Sequence, residues 1–348
     1  MKSKTKTRRP YIVGDEKIDR IITQLANGYG SGEAAQLLRE IITTAIKLGR
    51  EGGDNGDLKL INLSLKELRY AFRVFSPFRD VRKVIVFGSA KTKKESPDYK
   101  LAENFSREIV KRKFMVITGA GPGIMEAANK GAGPGKSFGV NIRLPFEQRE
   151  NKFIKNSPYL IGFKHFFTRK LIFIKESDAT VLFPGGFGTH DEGFENLTLI
   201  QTGKCRPRPI VLMEPKGGIY WKSWMSFIKG QLLKRGYISE DDLKLFTYIN
   251  DVKEAADYVE NFYRVYHSIR YVRGLTVMRL KHPLPKWLLR KIKKDFSDIL
   301  IRGYIKNSGP LEEELKRNEY PYLPRLIMKF NKSKFGRLCD MIHIINKV

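Results

Sequence analysis

The chain has 348 residues, 41% of them hydrophobic, and a formal net charge of +28 at pH 7. That length and apolar content describe a folded, soluble protein of one large domain with additions or of two domains. Neither a membrane span, a signal peptide, a disulfide framework nor a zinc site is expected. No apolar run nears the roughly 20 residues that cross a bilayer, the N-terminal MKSKTKTRRP leads into a polar stretch, and Cys205 and Cys339 stand alone. The expected setting is the cytoplasm, with no membrane partner, no metal and no cofactor. So basic a chain suggests anionic partners, and the excess is uneven: residues 261–348 hold 20 basic and 7 acidic side chains, almost half of it.

In chain order, residues 1–12 read as a basic, disordered tail. Residues 13–80 read as a helical region: AAQLLREIITTAIKLGR repeats apolar residues at three-to-four spacing, EGGDNGD interrupts, and SLKELRYAF resumes behind a serine suited to cap it. Over residues 81–262 the rhythm changes. Six short apolar runs, KVIVFG, FMVIT, SFGVNI, YLIGF, ATVLF and PIVLM, alternate with glycine-bearing turns and amphipathic stretches. That pattern predicts an α/β domain, a parallel sheet with helices on both faces. Residues 263–348, with GLTVMRLK, PKWLLRKIKKDFSDIL and PRLIMKF, read as a small basic α+β appendage.

Ligands of an open parallel sheet bind beyond the carboxyl ends of its strands. There the sequence places GSA (Gly88, Ser89), GAGPGIM (Gly119, Gly121, Gly123, Met125) and PGGFGT (Gly185, Gly186, Gly188, Thr189). Glycines let backbone amides approach an anion, and a following helix adds its free N–H groups and positive dipole end. Each turn alone serves equally as a tight connection; three together predict a phosphate cradle. GAGPGIM is not GxGxxG, and no acid ends the next strand, so a mononucleotide fits better than a dinucleotide. Beyond the third turn, Thr189, Glu192 and Glu195 share one helical face. Glu192 has two readings: partner of Thr189 in a capping box, or a carboxylate facing the ligand. In FKHFFTRKLIFIKESD, Phe166, Phe167, Leu171 and Ile174 suggest the buried side of a helix, with Arg169 away from its centre; alone, Arg169 and Lys170 read as a solvated basic face, and beside the cradle Lys170 is a candidate to bind the nucleotide.

Taken together, TGAGPGIMEAANKGA, TRK, PGGFGTHDE and IQTGKCRPRPIVLM resemble the "lonely guy" family of nucleoside 5′-monophosphate phosphoribohydrolases, often mislabelled lysine decarboxylases, over residues 84–213. The resemblance implies a Rossmann-like fold, usually a homodimer, and hydrolysis of a nucleotide to free base and ribose 5-phosphate. By motif, Arg169 and Glu192 match the family's catalytic pair, and Gly185, Gly186, Gly188 and Thr189 its phosphate-binding turn. FGSA stands where the family often has a cysteine and two serines, and GAGPGIM replaces a glycine triplet. The flanking regions resemble those of larger bacterial nucleotide nucleosidases. Glu192 is then expected to stabilise an oxocarbenium-like sugar or activate water, Arg169 to hold phosphate or assist the departing base, Glu195 to reach the ribose and Ser89 the base or phosphate. A decarboxylase would need a pyridoxal phosphate on a Schiff-base lysine, which no sequence context identifies. Two rival readings stay open: a non-catalytic nucleotide or molybdenum-cofactor carrier, and a nucleic-acid protein acting through residues 261–348, where YRVYHSIRYVRG interleaves aromatics with cations. The second is not favoured over a surface that steers small phosphates.

Overall fold

The structure, a computed structural model, describes residues 11–144 and 150–348; residues 1–10 of the expected tail lie outside them. The described residues form two compact units, divided after Arg69. In the first, α1 (Glu16–Tyr29) starts behind Asp15, whose carboxylate accepts from the backbone of Lys17 and Ile18, and packs on α2 (Gly32–Arg50). The boundary between the units falls within α3 (Asn55–Phe75). Ser64 does not cap this helix. Asp54 accepts from the Asp57 amide and sets an earlier start, so Ser64 lies mid-helix and its hydroxyl donates to the Leu60 carbonyl.

The second unit is α/β. Its elements run β1 (Lys83–Phe87), α4 (Pro97–Lys111), β2 (Met115–Thr118), α5 (Ile124–Ala132), β3 (Ser137–Ile142), β4 (Leu160–Phe163), α6 (Phe166–Glu176), β5 (Ala179–Leu182), α7 (Phe187–Gln201), β6 (Ile210–Leu212), α8 (Tyr220–Phe227), β7 (Thr247–Tyr248) and α9 (Val252–Asn261). The seven strands are parallel, in the order β4-β3-β2-β1-β5-β6-β7. β1 is buried at every position, as a central strand covered on both faces must be. Even Lys83 is enclosed, its ammonium donating to the carbonyls of Phe78 and Val81. β7, two residues at the sheet edge, is too short for a sequence pattern to register.

The chain continues through β8 (Tyr266–Val272), β9 (Leu275–Leu280), α10 (Lys286–Asp295), β10 (Leu300–Ser308), α11 (Glu312–Leu315), β11 (Arg325–Phe330) and α12 (Phe335–Ile345). The four strands form an antiparallel sheet, β10-β11-β9-β8. No helix among the described residues is long and apolar enough to cross a membrane.

Candidate functional site

From β1 the chain steps outward through β2, β3 and β4; with β5 it returns beside β1 and steps the other way through β6 and β7. The carboxyl ends of β1 and β5 therefore flank the switch point, where an open α/β sheet leaves a crevice. Two hydrogen bonds tie the walls together there: the Phe183 amide to the Phe87 carbonyl (2.9 Å) and the Ser89 amide to the Pro184 carbonyl (3.0 Å). Above them opens a cavity of about 400 Å³, within the size range of small-ligand pockets. Gly88, Ser89, Gly119, Met125, Gly186, Gly188, Thr189, Arg169 and Glu192 line it; Gly121, Gly123, Gly185, Lys170 and Glu195 do not.

The glycines divide by what a side chain would meet. A Cβ on Gly185 would lie 2.1 Å from Thr189 Oγ1, one on Gly88 2.7 Å from Ile124, and one on Gly123, at φ +66°, 2.3 Å from the Ser89 carbonyl oxygen. These three serve the packing of the turns. Gly119 allows Arg169 and Met125 to close over it, since its Cβ would come within 2.6 Å and 2.7 Å of their side chains. Gly121 is buried, its carbonyl accepting from Asn151. Gly186 and Gly188 differ: neither has positive φ, and a Cβ on either meets nothing within 4 Å. The fold does not require glycine there, so the space kept open is space for something else to approach the backbone.

That backbone is the start of α7. Gly186 is its N-cap and no side chain caps it; the first amides of a helix have no carbonyl partner within it. The N–H groups of Phe187 and Gly188, at the positive end of the helix dipole, are thus presented to an anion. Thr189 is already the third helical residue, its amide bonded to the Gly186 carbonyl. It is therefore no N-cap, and the capping-box reading of Thr189 and Glu192 does not hold. Behind the turn, the Tyr220 hydroxyl donates to the Gly185 carbonyl and lies 2.7 Å from His190 Nε2. The sequence hides this brace, because 35 residues separate Tyr220 from Gly185.

Glu192 lies one turn further along α7, 6% exposed, with Oε2 buried and without a hydrogen-bond partner. Burial pushes its carboxyl up to about 7; Lys170 and Arg169 pull against this, while Glu195 and Asp191 reinforce it. Arg169 enters from α6, its Nε donating to the Val140 carbonyl at 2.9 Å. Desolvation lowers its pKa against the opposing field of Glu192, yet an arginine stays charged at any working pH. The site thus contains a fixed cation and a buried carboxyl that titrates near neutrality.

α6 is turned differently from its expected orientation. Phe166, Phe167 and Leu171 are exposed, while Thr168, Ile172, Phe173 and Glu176 are buried. Apolar residues occur all round this helix, so periodicity could not choose a side. Lys170 bridges Asp191 and Glu195 at 2.9 and 3.1 Å, which ties α6 to α7 and places Glu195 in that ion pair rather than among the cavity walls. After β1 no helix follows directly: residues 88–96 form a loop, and Ser96 caps α4 with its own side chain. This first turn contributes a wall and the exposed cation Lys91, but no helix dipole. In the sequence only its place directly after the GSA turn marks Lys91.

A family described as "Possible lysine decarboxylase" matches residues 125–259. Over 107 residues the chain is 33% identical to a probable cytokinin riboside 5′-monophosphate phosphoribohydrolase of Oryza sativa subsp. japonica, covering 31% of this chain and 48% of that protein. It is 34% identical over 87 residues to the phosphoribohydrolase of the same name from Mycobacterium tuberculosis, covering 25% and 44%. With one from Arabidopsis thaliana the match is 25% over 183 residues, covering 52% and 83%. The chain thus spans about half the length of the first two relatives. The resemblance read from the sequence is borne out.

Proposed function

We propose that this relative of the lonely guy phosphoribohydrolases hydrolyses the N-glycosidic bond of a nucleoside 5′-monophosphate, releasing free base and ribose 5-phosphate. The observation that carries the reading is Glu192: a buried carboxyl with an unpartnered oxygen, in the wall of the same cavity that the open amino end of α7 enters. An unpaired carboxyl is costly to bury, and pockets that hold such groups are where chemistry is done.

In this reading the 5′-phosphate rests on the amides of Phe187 and Gly188, which places the sugar one helical turn along, at Glu192. The C1′–N bond breaks with its electron pair leaving on the base. The ionised Glu192 stabilises the positive charge that develops on the sugar and takes a proton from the incoming water, whose oxygen bonds to C1′; that proton passes on through solvent to the departing base nitrogen, so the base leaves neutral and Glu192 is ionised again. Arg169, fixed on the Val140 carbonyl, provides permanent positive charge for the phosphate or for the base as it accepts electrons. Catalysis needs neither metal nor cofactor in this scheme. The exposed Phe166, Phe167 and Leu171 of α6 and Phe187 of α7 suit a homodimer contact, which sedimentation of the purified protein tests.

Comparing a nucleoside 5′-monophosphate with its nucleoside tests the assignment of the α7 amides. The monophosphate should be cleaved and the nucleoside left intact at equal concentration. Equal cleavage of both would remove the phosphate from the account.

A further inference from the structure

The basic appendage is left without a role by the proposed chemistry, and its charges are not balanced internally. All seven carboxylates of residues 261–348 are engaged by cations. Asp295 pairs with Lys291, Asp298 and Asp340 with Arg337, and Glu312 with Lys316. Glu313 pairs with Arg273, Glu314 with Arg279 and Arg325, and Glu319 with Arg270 and Arg279. Among the described residues no carboxylate lies within ion-pair distance of Arg302, Lys306 or Lys329, and these three meet at one place.

That place is a cavity of about 350 Å³ on the four-stranded sheet, with Leu275 and Ile327 as an apolar floor and Tyr304 at its side. A bulge in the edge strand β10 builds it. Between the pairs Arg302–Lys329 and Lys306–Ile327, four residues of β10 advance while β11 advances two, and Gly303 at φ +79° takes up the excess. Bulges re-aim side chains; here Tyr304 is left 59% exposed, with the Lys306 ammonium 4.5 Å from its ring centroid. Beside β10 packs α10, which buries Leu288 and Ile292. It exposes Lys286, Arg290, Lys293 and Lys294, at spacings that place them on one face, together with the half-exposed Trp287. That face carries four cations and no acid over roughly 12 Å of helix.

We propose that this sheet face binds single-stranded nucleic acid, one base stacking on Tyr304 over the apolar floor and the flanking phosphates engaging Arg302, Lys306 and Lys329. An aromatic platform among cations without neighbouring acids is the arrangement that single strands require. A duplex keeps its bases inside, and a lipid surface makes no use of a one-base recess. The platform differs from the one the sequence suggested: in YRVYHSIRYVRG, Tyr263 and Tyr266 are buried and Arg270 is paired with Glu319.

The test uses the full chain and a fluorescently labelled oligothymidine of about a dozen nucleotides without a 5′-phosphate, read by anisotropy at low salt. Binding should weaken as salt rises. Lys306→Gln with Lys329→Gln should flatten the log–log salt slope by about 1.4, two contacts at about 0.7 each. Tyr304→Ala should weaken binding about 5- to 30-fold and Tyr304→Phe should restore it. Circular dichroism of each variant separates lost contacts from lost fold. The proposal is overturned by any of four results: no binding at low salt, binding indifferent to these substitutions, duplex or phosphatidylserine vesicles bound better than the single strand, or thymidine monophosphate competing as well as the oligonucleotide.

Discussion

Replacing Glu192 with Gln separates its chemistry from its cost to the fold. A carboxyl that titrates at 4.5 in the unfolded chain and at about 7 in the folded one binds more protons when folded. Glu192's own contribution to wild-type stability therefore declines as pH rises from about 4.5 to 7 and stays lowered above that. At about 1.4 kcal/mol per pH unit, the gap amounts to roughly 3 kcal/mol. Glutamine does not titrate, so whatever constant penalty its amide incurs, the stability of Glu192→Gln relative to wild type should climb with pH by roughly that amount and level off above 7. Urea unfolding of both proteins between pH 4.5 and 8.5, followed by circular dichroism, measures it. Base release by the same variant should fall by at least about 100-fold. A stability difference independent of pH would show that the Glu192 carboxyl is not perturbed as described, and wild-type turnover would remove it from the chemistry.

In the proposed scheme the ionised carboxylate does the work, so kcat/KM should rise with pH with a midpoint near 7; a profile flat from 5 to 9 counts against this. Gly186→Asp should leave the fold intact, a Cβ there meeting nothing within 4 Å, yet raise KM at least about 10-fold by placing a negative charge where the proposal seats the phosphate, at the amino end of α7. Unchanged KM would move the phosphate elsewhere. Tyr220→Phe removes the hydroxyl from the Gly185 carbonyl and should raise KM about 3- to 10-fold, the effect of about one hydrogen bond, with little change in kcat. A loss confined to kcat would deny Tyr220 its part in shaping the turn.

Much of the second unit was legible because parallel strands buried on both faces leave continuous apolar runs, as in KVIVFG and ATVLF, that turns must interrupt with glycine. All six runs contain strands of the sheet. The cavity was legible in part for the same reason: strand ends meet at the switch point, so Gly88, Gly119 and Gly186 had to converge. Other features depend on information that periodicity lacks. FFTRKLIFIKE is apolar all round, and tertiary packing alone decides that Arg169 enters the cavity while Phe166 and Phe167 face outward. Thr189 and Glu192 have capping-box spacing, but α7 begins two residues before Thr189, at Phe187, and the box never forms. Lys170 reaches Glu195 across two helices, a pairing no local pattern encodes.

Product analysis tests the proposed hydrolysis most directly. The purified protein, incubated with a panel of nucleoside 5′-monophosphates and resolved by chromatography, should liberate free base and ribose 5-phosphate in equal amounts from at least one of them, and Glu192→Gln should liberate neither. Nucleotides recovered intact after prolonged incubation, or base released without ribose 5-phosphate, would contradict it.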